Sequence, residues 1–244
     1  MSIAASFSEL IRSRRSVRDF LTTPIPEALL QSVLAEANQS PSWSNTQPYR
    51  IAVASGATRV RLAAQLTERF ELGMQAQRKG WLGKLQLLTR QRHVLPDGDF
   101  ETNFAYPEDL QPQRRATGHG LYELLGIGRK DHAAREAQMR RNFEFFGAPT
   151  AIFVFVHSGL REFSVLDAGI YLQSLMLSAH AHGLGTCAQG ALATWAGPVR
   201  EAFDVPADYK LVGGLSIGFA SEHPVNQYNP GRGDAADFLL TERR

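Results

Sequence analysis

A single cysteine, Cys187, serves the whole chain, which excludes an internal disulfide and leaves no CxxC pair for a metal. No apolar run reaches the roughly 18 residues that a membrane-spanning helix needs. The N-terminus also lacks the charged-then-apolar pattern of a secretory leader, so a cytoplasmic protein is expected. Neither charge sign dominates. Lys and Arg number 26 against 24 acidic residues, for a net charge of +2. That balance excludes a general polyanion binder, whatever the pairs Arg114-Arg115 and Arg140-Arg141 suggest locally. His119, His132, His157, His180, His182 and His223 form no HExxH or HxxEH pattern. His180 and His182, two apart, face different sides of a helix, so no metal site is expected. There is no GxSxG elbow for a nucleophilic serine. The run Gly183-Leu184-Gly185-Thr186-Cys187-Ala188-Gln189-Gly190 lacks the GxGxxG spacing and follows a helix instead of opening one, which excludes a dinucleotide fingerprint. It reads as a tight turn able to expose backbone N–H groups. No catalytic acid, base or nucleophile motif emerges.

What is present suits one core. The 244 residues, 43% hydrophobic and 20% charged, fit an ordinary globular protein with neither repeats nor low-complexity tracts. Residues 7–18 read as a short helix. Pro24-Ile25-Pro26-Glu27 marks a fresh start, and Leu29, Leu30, Val33, Leu34 and Ala37 repeat at helical spacing up to Pro41. Arg50–Ala54 reads as a strand and 57–79 as a helix. Residues 80–115 are punctuated by glycine and proline and carry Trp81, Phe100, Phe104 and Tyr106. A long irregular insertion of this kind is usually a functional loop. Helical character returns over 120–142. Thr150–Val156 has the unbroken apolar character of a strand buried on both faces, and 211–220 makes a last strand whose glycines imply close packing. Between them a helix, with Ser164-Val165-Leu166-Asp167 available to cap it, is apolar nearly all round and stops at Gly183. The interspersed strands and helices predict a single α/β domain over 1–244.

Two short runs concentrate chemistry. Arg14-Arg15-Ser16-Val17-Arg18 puts three guanidinium groups and a hydroxyl at a helix-to-loop junction. Basic triplets also occur as solvated helix ends, but arginine forks suit phosphate oxygens. Pro41-Ser42-Trp43-Ser44-Asn45-Thr46-Gln47-Pro48 sets carboxamides two residues apart, and these can offer donor and acceptor together. The same run also reads as a plain polar loop, and Trp43 as a core or interface residue.

With the run from Phe145 through Ala151 to Val156, then Asp167-Ala168-Gly169 through Gln189-Gly190 to Phe219, these motifs resemble the flavin-dependent nitroreductase family. The likeness covers about 7–60 and 140–240. "PSWSNTQP" and "GLGTCAQG" are similar to the subgroup that includes nitrobenzoate reductases. The resemblance implies a mainly antiparallel α+β sheet flanked by helices, in a homodimer that binds FMN at the subunit interface. It also implies a C-terminal segment exchanged between subunits and a variable, lid-like insertion at about 65–135. It implies phosphate or ribityl ligands at Arg14, Arg15 and Ser16, a cation near flavin N1 and O2 at Arg18, and a phosphate-holding Arg232. Pro41, Ser42, Trp43 and Asn45 would come from the partner subunit, and Gln189 and Gly190 would turn backbone N–H groups toward flavin N5 and O4. Some relatives also bind the pyrimidine through an asparagine and a lysine on the helix after the first strand; residues 65–80 hold no counterpart. The implied activity is ping-pong electron transfer from NADH or NADPH to nitroaromatic acceptors, because the cofactor itself does the chemistry. Quinones, flavins or activated alkenes are the alternative acceptors, and a non-catalytic flavin-binding protein is the alternative class. Trp81, Phe100, Phe104, Tyr106 and Tyr122 are either acceptor-stacking or core residues.

Overall fold

Alternation along one strand organises the molecule. The computed structural model describes residues 3–242. Its sheet comprises β1 (Tyr49–Ser55), β2 (Thr150–His157), β3 (Gly185–Gln189) and β4 (Tyr209–Gly218). These run antiparallel in the order β1-β2-β4-β3. The helices are α1 (Ile3–Ser13), α2 (Glu27–Ala37), α3 (Gly56–Arg78), α4 (Trp81–Arg90), α5 (Gln111–Leu124), α6 (His132–Arg140), α7 (Glu162–Ala181) and α8 (Gly197–Ala202). Thr150–Val156 is buried throughout, as its apolar run predicts. Successive strand side chains point to opposite faces. Ala151, Phe153 and Phe155 therefore join Leu62, Leu66 and Phe70 of α3 and Val199 of α8 in one core. Ile152, Val154 and Val156 join Val33 and Ala37 of α2 and Ala168, Tyr171, Leu175 and Ala179 of α7 in the other. The antiparallel α+β architecture expected of the sequence is the one observed.

Local departures have physical causes. α1 ends at Ser13, so Arg14–Arg18 is an extended strap instead of the last turn of a helix. The strap is drawn to the sheet, where Ser16 bridges Thr186 and the Val17 N–H donates to the Thr186 carbonyl at 2.9 Å. Gly185–Gln189 is an edge strand and not a turn, because its backbone pairs with β4 from Gly185↔Gly218 to Gln189↔Gly214. The punctuated stretch after Gly80 contains α4. The helical reading over 120–142 is broken at Gly126, which sits at φ +66°, and α6 restarts where the Asp131 carboxylate accepts from the Ala134 N–H at 2.9 Å. α7 opens at Glu162, before the predicted cap, and the Ser164 hydroxyl donates back to the Arg161 carbonyl. The glycines of β4 do allow close packing: a Cβ on Gly214 would meet Leu192 Cδ1 at 2.5 Å.

Gly185 is what lets the strap approach β3, since a Cβ there would lie 2.5 Å from Val17 Cγ2. Gly185→Ala is expected to lower the unfolding free energy by about 1–3 kcal/mol, the usual cost of overpacking. The fall would be read as a lower urea midpoint, and an unchanged midpoint would show that the strap yields at no cost.

Candidate functional site

Beyond Ser13 the chain lays a row of cations against the edge strand β3, where Ser16 and Val17 pair with Thr186. Arg14, Arg15, Ser16 and Arg18 are half-buried, and Arg232, from the C-terminal tail, lies within electrostatic reach of Arg14. Burial lowers the Arg14 guanidinium pKa, and Arg232 and Arg15 lower it further. His180, at the C-terminal end of α7, bonds Ser13 Oγ through Nε2 at 2.8 Å, and burial, Arg14 and Arg15 push its pKa down. Among the described residues, no ion pair includes Arg14, Arg15, Arg18 or Arg232. Like charges gathered without a carboxylate make a site that an anion would stabilise.

The strap is fastened by residues that no sequence pattern singled out. Asn226 Oδ1 accepts from the Arg18 and Asp19 N–H groups at 2.8 and 3.1 Å, and Asn226 Nδ2 donates to the Asp19 carbonyl at 2.7 Å. The Asp19 carboxylate accepts from Arg141 at 2.6 Å and from the Ser221 hydroxyl.

The cations continue along β3. Arg14 and Arg18 both act on the buried Cys187 thiol, which burial nevertheless pushes up to about 11, so it is inert. At the end of the strand the Gln189 side chain turns inward: Nε2 donates to the Asn142 carbonyl at 2.8 Å, and Oε1 accepts from the Ser216 hydroxyl. Gly190 follows with nothing within 4 Å of where a Cβ would stand. β3 is the last of the four strands and the strap pairs with its outer side at Thr186, so cations stand at one end of the strand and a bare glycine follows the other. Asn142, missed in the sequence because it lies well beyond 65–80, brings a carboxamide to the same place.

Pro41, Ser42, Trp43 and Asn45 are held elsewhere. The Trp43 N–H donates to both oxygens of Asp167, near the N-terminal end of α7, and its ring centroid lies 4.3 Å from that of Phe163. From Asp167 to His180 is thirteen helical residues, roughly 20 Å at 1.5 Å per residue. The strap and the loop therefore sit at opposite ends of one helix. Asn45 and Gln47, whose carboxamides suggested a ligand edge, bond each other at 3.2 Å on the exposed surface of the loop.

A model of the nitroreductase family matches residues 11–219. The chain belongs to the nitroreductase family. It is 33% identical to the 4-nitrobenzoate reductase of Pseudomonas putida over 221 residues, covering 89% of this chain and 86% of that one. It is 31% identical to the 4-nitrobenzoate reductase of Nocardioides sp. (strain LMS-CY) over 222 residues, covering 90% and 83%. Its structure superposes with a TM-score of 0.83 on the crystal structure of the FMN-dependent nitroreductase NfnB from Mycobacterium smegmatis in complex with NADPH. Identity there is 30%, and 99% of this chain and all of that one are covered. Among the described residues, no helix is long and apolar enough to cross a membrane, and no cluster of His, Cys, Asp or Glu could hold a metal.

The Asp19 clasp has a pH signature. Burial raises its carboxyl pKa, but the Ser221 hydroxyl and the Arg141 guanidinium together outweigh burial and hold it below the usual 3.8. A depressed folded pKa gives stability that is present above the unfolded value and lost as pH falls through the folded one. Asp19→Asn is expected to destabilise the protein at pH 7, and its difference from wild type should shrink below about pH 4. Thermal melts at several pH values test this, and a difference that persists undiminished at pH 2 would contradict it.

Proposed function

We propose that this chain is an FMN-dependent oxidoreductase that passes electrons from NADH or NADPH to nitroaromatic acceptors, working as a homodimer. The observation that carries the reading is the set of cations without ion pairs, Arg14, Arg15 and Arg232, at the end of β3 where the strap pairs with Thr186, with Gly190 following the strand's other end. This arrangement fits a cofactor with a dianionic phosphate at one end and a planar hydrogen-bonding ring at the other. The FMN dependence of NfnB and its crystallisation with NADPH support the same cofactor and a nicotinamide donor here. The two 4-nitrobenzoate reductases support the acceptor class.

Bound there, FMN supplies two-electron exchange between a nicotinamide and an organic acceptor. The protein's part is to hold and to tune. Arg14, Arg15, Ser16 and Arg232 take the phosphate and ribityl chain through charge-assisted hydrogen bonds. Arg18 sets a positive charge beside the ring's pyrimidine, where reduction leaves negative charge. Gln189 is locked by Asn142 and Ser216, so its backbone and that of Gly190 present fixed groups to the ring. The Asn142 carboxamide supplies the pyrimidine contact for which residues 65–80 offered no counterpart. Solvent provides the protons, and one cleft serves donor and acceptor in turn.

The separation of loop and strap along α7 favours a two-fold partner. In an isologous pair, the Pro41–Asn45 loop of one copy reaches the strap of the other, and the reverse. Apolar surface on the described residues supports that pairing: Ile3, Phe7 and Ile11 along α1, Phe163 and Leu166 on α7, and Phe238, Leu239 and Leu240 in the tail are all exposed. The tail residues suit a segment exchanged between subunits. Within about 65–135, Leu66 and Phe70 belong to the core, so the part free to act as a lid starts with α4, whose Trp81, Leu85 and Leu88 are exposed.

The purified protein should show a bound-flavin absorption spectrum that bleaches anaerobically with NADPH or NADH and recovers on adding 4-nitrobenzoate. Arg14→Ala should weaken FMN binding about tenfold to a hundredfold, as expected for a lost charged hydrogen bond, while leaving riboflavin, which has no phosphate, unaffected. A protein that neither carries FMN nor can be reconstituted with it would overturn the reading.

A further inference from the structure

Asp167 is a charged side chain in a place that folding alone does not need one. It sits on α7, a helix otherwise rich in apolar residues, and is only 3% exposed. Among the described residues, no ion pair includes it. A buried carboxylate is costly unless its hydrogen bonds repay the lost water. The donor found here is the Trp43 N–H, shared between Oδ1 at 3.2 Å and Oδ2 at 3.1 Å. Beside them the Tyr49 hydroxyl is buried with no hydrogen-bond partner, and it lies within electrostatic reach of Asp167.

The segment gripped in this way is strained and otherwise self-contained. Ser44, Asn45 and Gln47 stand at φ +48°, +54° and +46°, a region that side chains other than asparagine seldom adopt. The remaining hydrogen bonds of 42–47 stay inside the loop: Asn45 N–H to the Ser42 carbonyl, Thr46 N–H and hydroxyl to the Trp43 carbonyl, and Gln47 N–H to Ser42 Oγ. These fix the loop's shape but not its place. Its C-terminal end runs into β1, where the Pro48 carbonyl accepts from the His157 N–H at 2.8 Å; on the other side, what fastens the loop to α7 is the Asp167 carboxylate, with the Trp43 ring resting on Phe163 one helical turn earlier.

We infer that Asp167 is a positioning residue that holds the 42–47 loop where the flavin of the partner subunit requires it. This rests on the reading above, that the loop completes the site opened by the partner's strap. α7 then carries one device for each flavin of the dimer. The Arg14 and His180 end serves the chain's own cofactor, and the Asp167 end serves its neighbour's.

The test uses the full-length dimer and FMN itself. Asp167→Leu fills the space without offering an acceptor, and it should leave the melting temperature at or above the wild-type value, because an apolar residue suits that core. Its FMN affinity should fall about tenfold to a hundredfold. Asp167→Asn, which keeps a carbonyl for the Trp43 N–H, should recover most of that affinity, to within about threefold of wild type. A purely structural role would instead lower the melting temperature in step with affinity.

Co-expression of differently tagged Arg14→Ala and Asp167→Leu chains decides the direction. In their heterodimer one site draws its strap from the Asp167→Leu chain and its loop from the Arg14→Ala chain, so it is intact. One tightly held FMN per heterodimer is expected, where neither variant homodimer holds any as tightly. A heterodimer with no tight site would mean that Asp167 serves its own chain's flavin and would overturn the inference. So would wild-type FMN affinity in the Asp167→Leu homodimer. If the leucine chain fails to fold, Asp167→Ala, which also removes the acceptor for the Trp43 N–H, carries the same test, and full affinity there is equally contrary. Failure of wild type to bind FMN would defeat the underlying reading. Loss in Arg14→Ala without loss at position 167 would defeat this inference alone.

Discussion

The packing of α7 against one face of the sheet is the contact on which the rest depends. Ala168, Tyr171, Leu175 and Ala179 meet Ile152, Val154, Leu215 and Ile217 in a core with no exposed member. Burial of this kind, at about 25 cal/mol per Å² of apolar surface, contributes most to holding such a layer together. Because the helix lies rigid on the sheet, whatever is attached to its two ends is held at a fixed spacing. One end receives α1 and the arginine strap through Ser13 and His180; the other receives the Trp43 loop through Asp167 and Phe163. The functional geometry is thus a consequence of core packing, and the site residues need no scaffold of their own.

The second constraint is electrostatic. Folding brings Arg14, Arg15 and Arg232 together although burial, Arg232 and Arg15 all make Arg14 harder to charge. Other arginines near the core are matched by carboxylates: Arg69 with Asp97, Arg140 with Glu71 and Glu144, Arg141 with Asp19, and Arg200 with Asp99. The strap instead gathers cations against one another, and such a cluster costs stability unless an anion arrives. Binding an anionic cofactor to the folded state then stabilises the protein by linkage. Function and stability meet at the same group of residues.

Much of this was legible in the sequence, for identifiable reasons. The 150–156 strand announced itself because burial on both faces demands unbroken apolar character, and α2 and α3 because a single buried face leaves a helical period. β3 was not legible. Gly-Thr-Cys-Ala-Gln has no alternation to read, and only its pairing with β4 makes it a strand. Local propensity continues the helix through Arg18 and cannot anticipate the pull of the Thr186 carbonyl on the Val17 N–H, which makes the strap extended. The arginine strap and the Pro41–Pro48 loop stood out as motifs. Asp167, Asn142 and Asn226, which fasten or complete them, are single polar residues with no spacing signal. Their role lies entirely in what folding sets beside them.

The central claim is that a complete flavin site takes the strap from one chain and the loop from another. The most direct measurement is FMN affinity as a function of protein concentration, with molecular mass followed by sedimentation in the same samples. The account predicts that flavin is held tightly where the protein is dimeric and released as dilution produces monomers, and that added FMN shifts the dissociation to lower protein concentration. A monomer that retains FMN with undiminished affinity would contradict it.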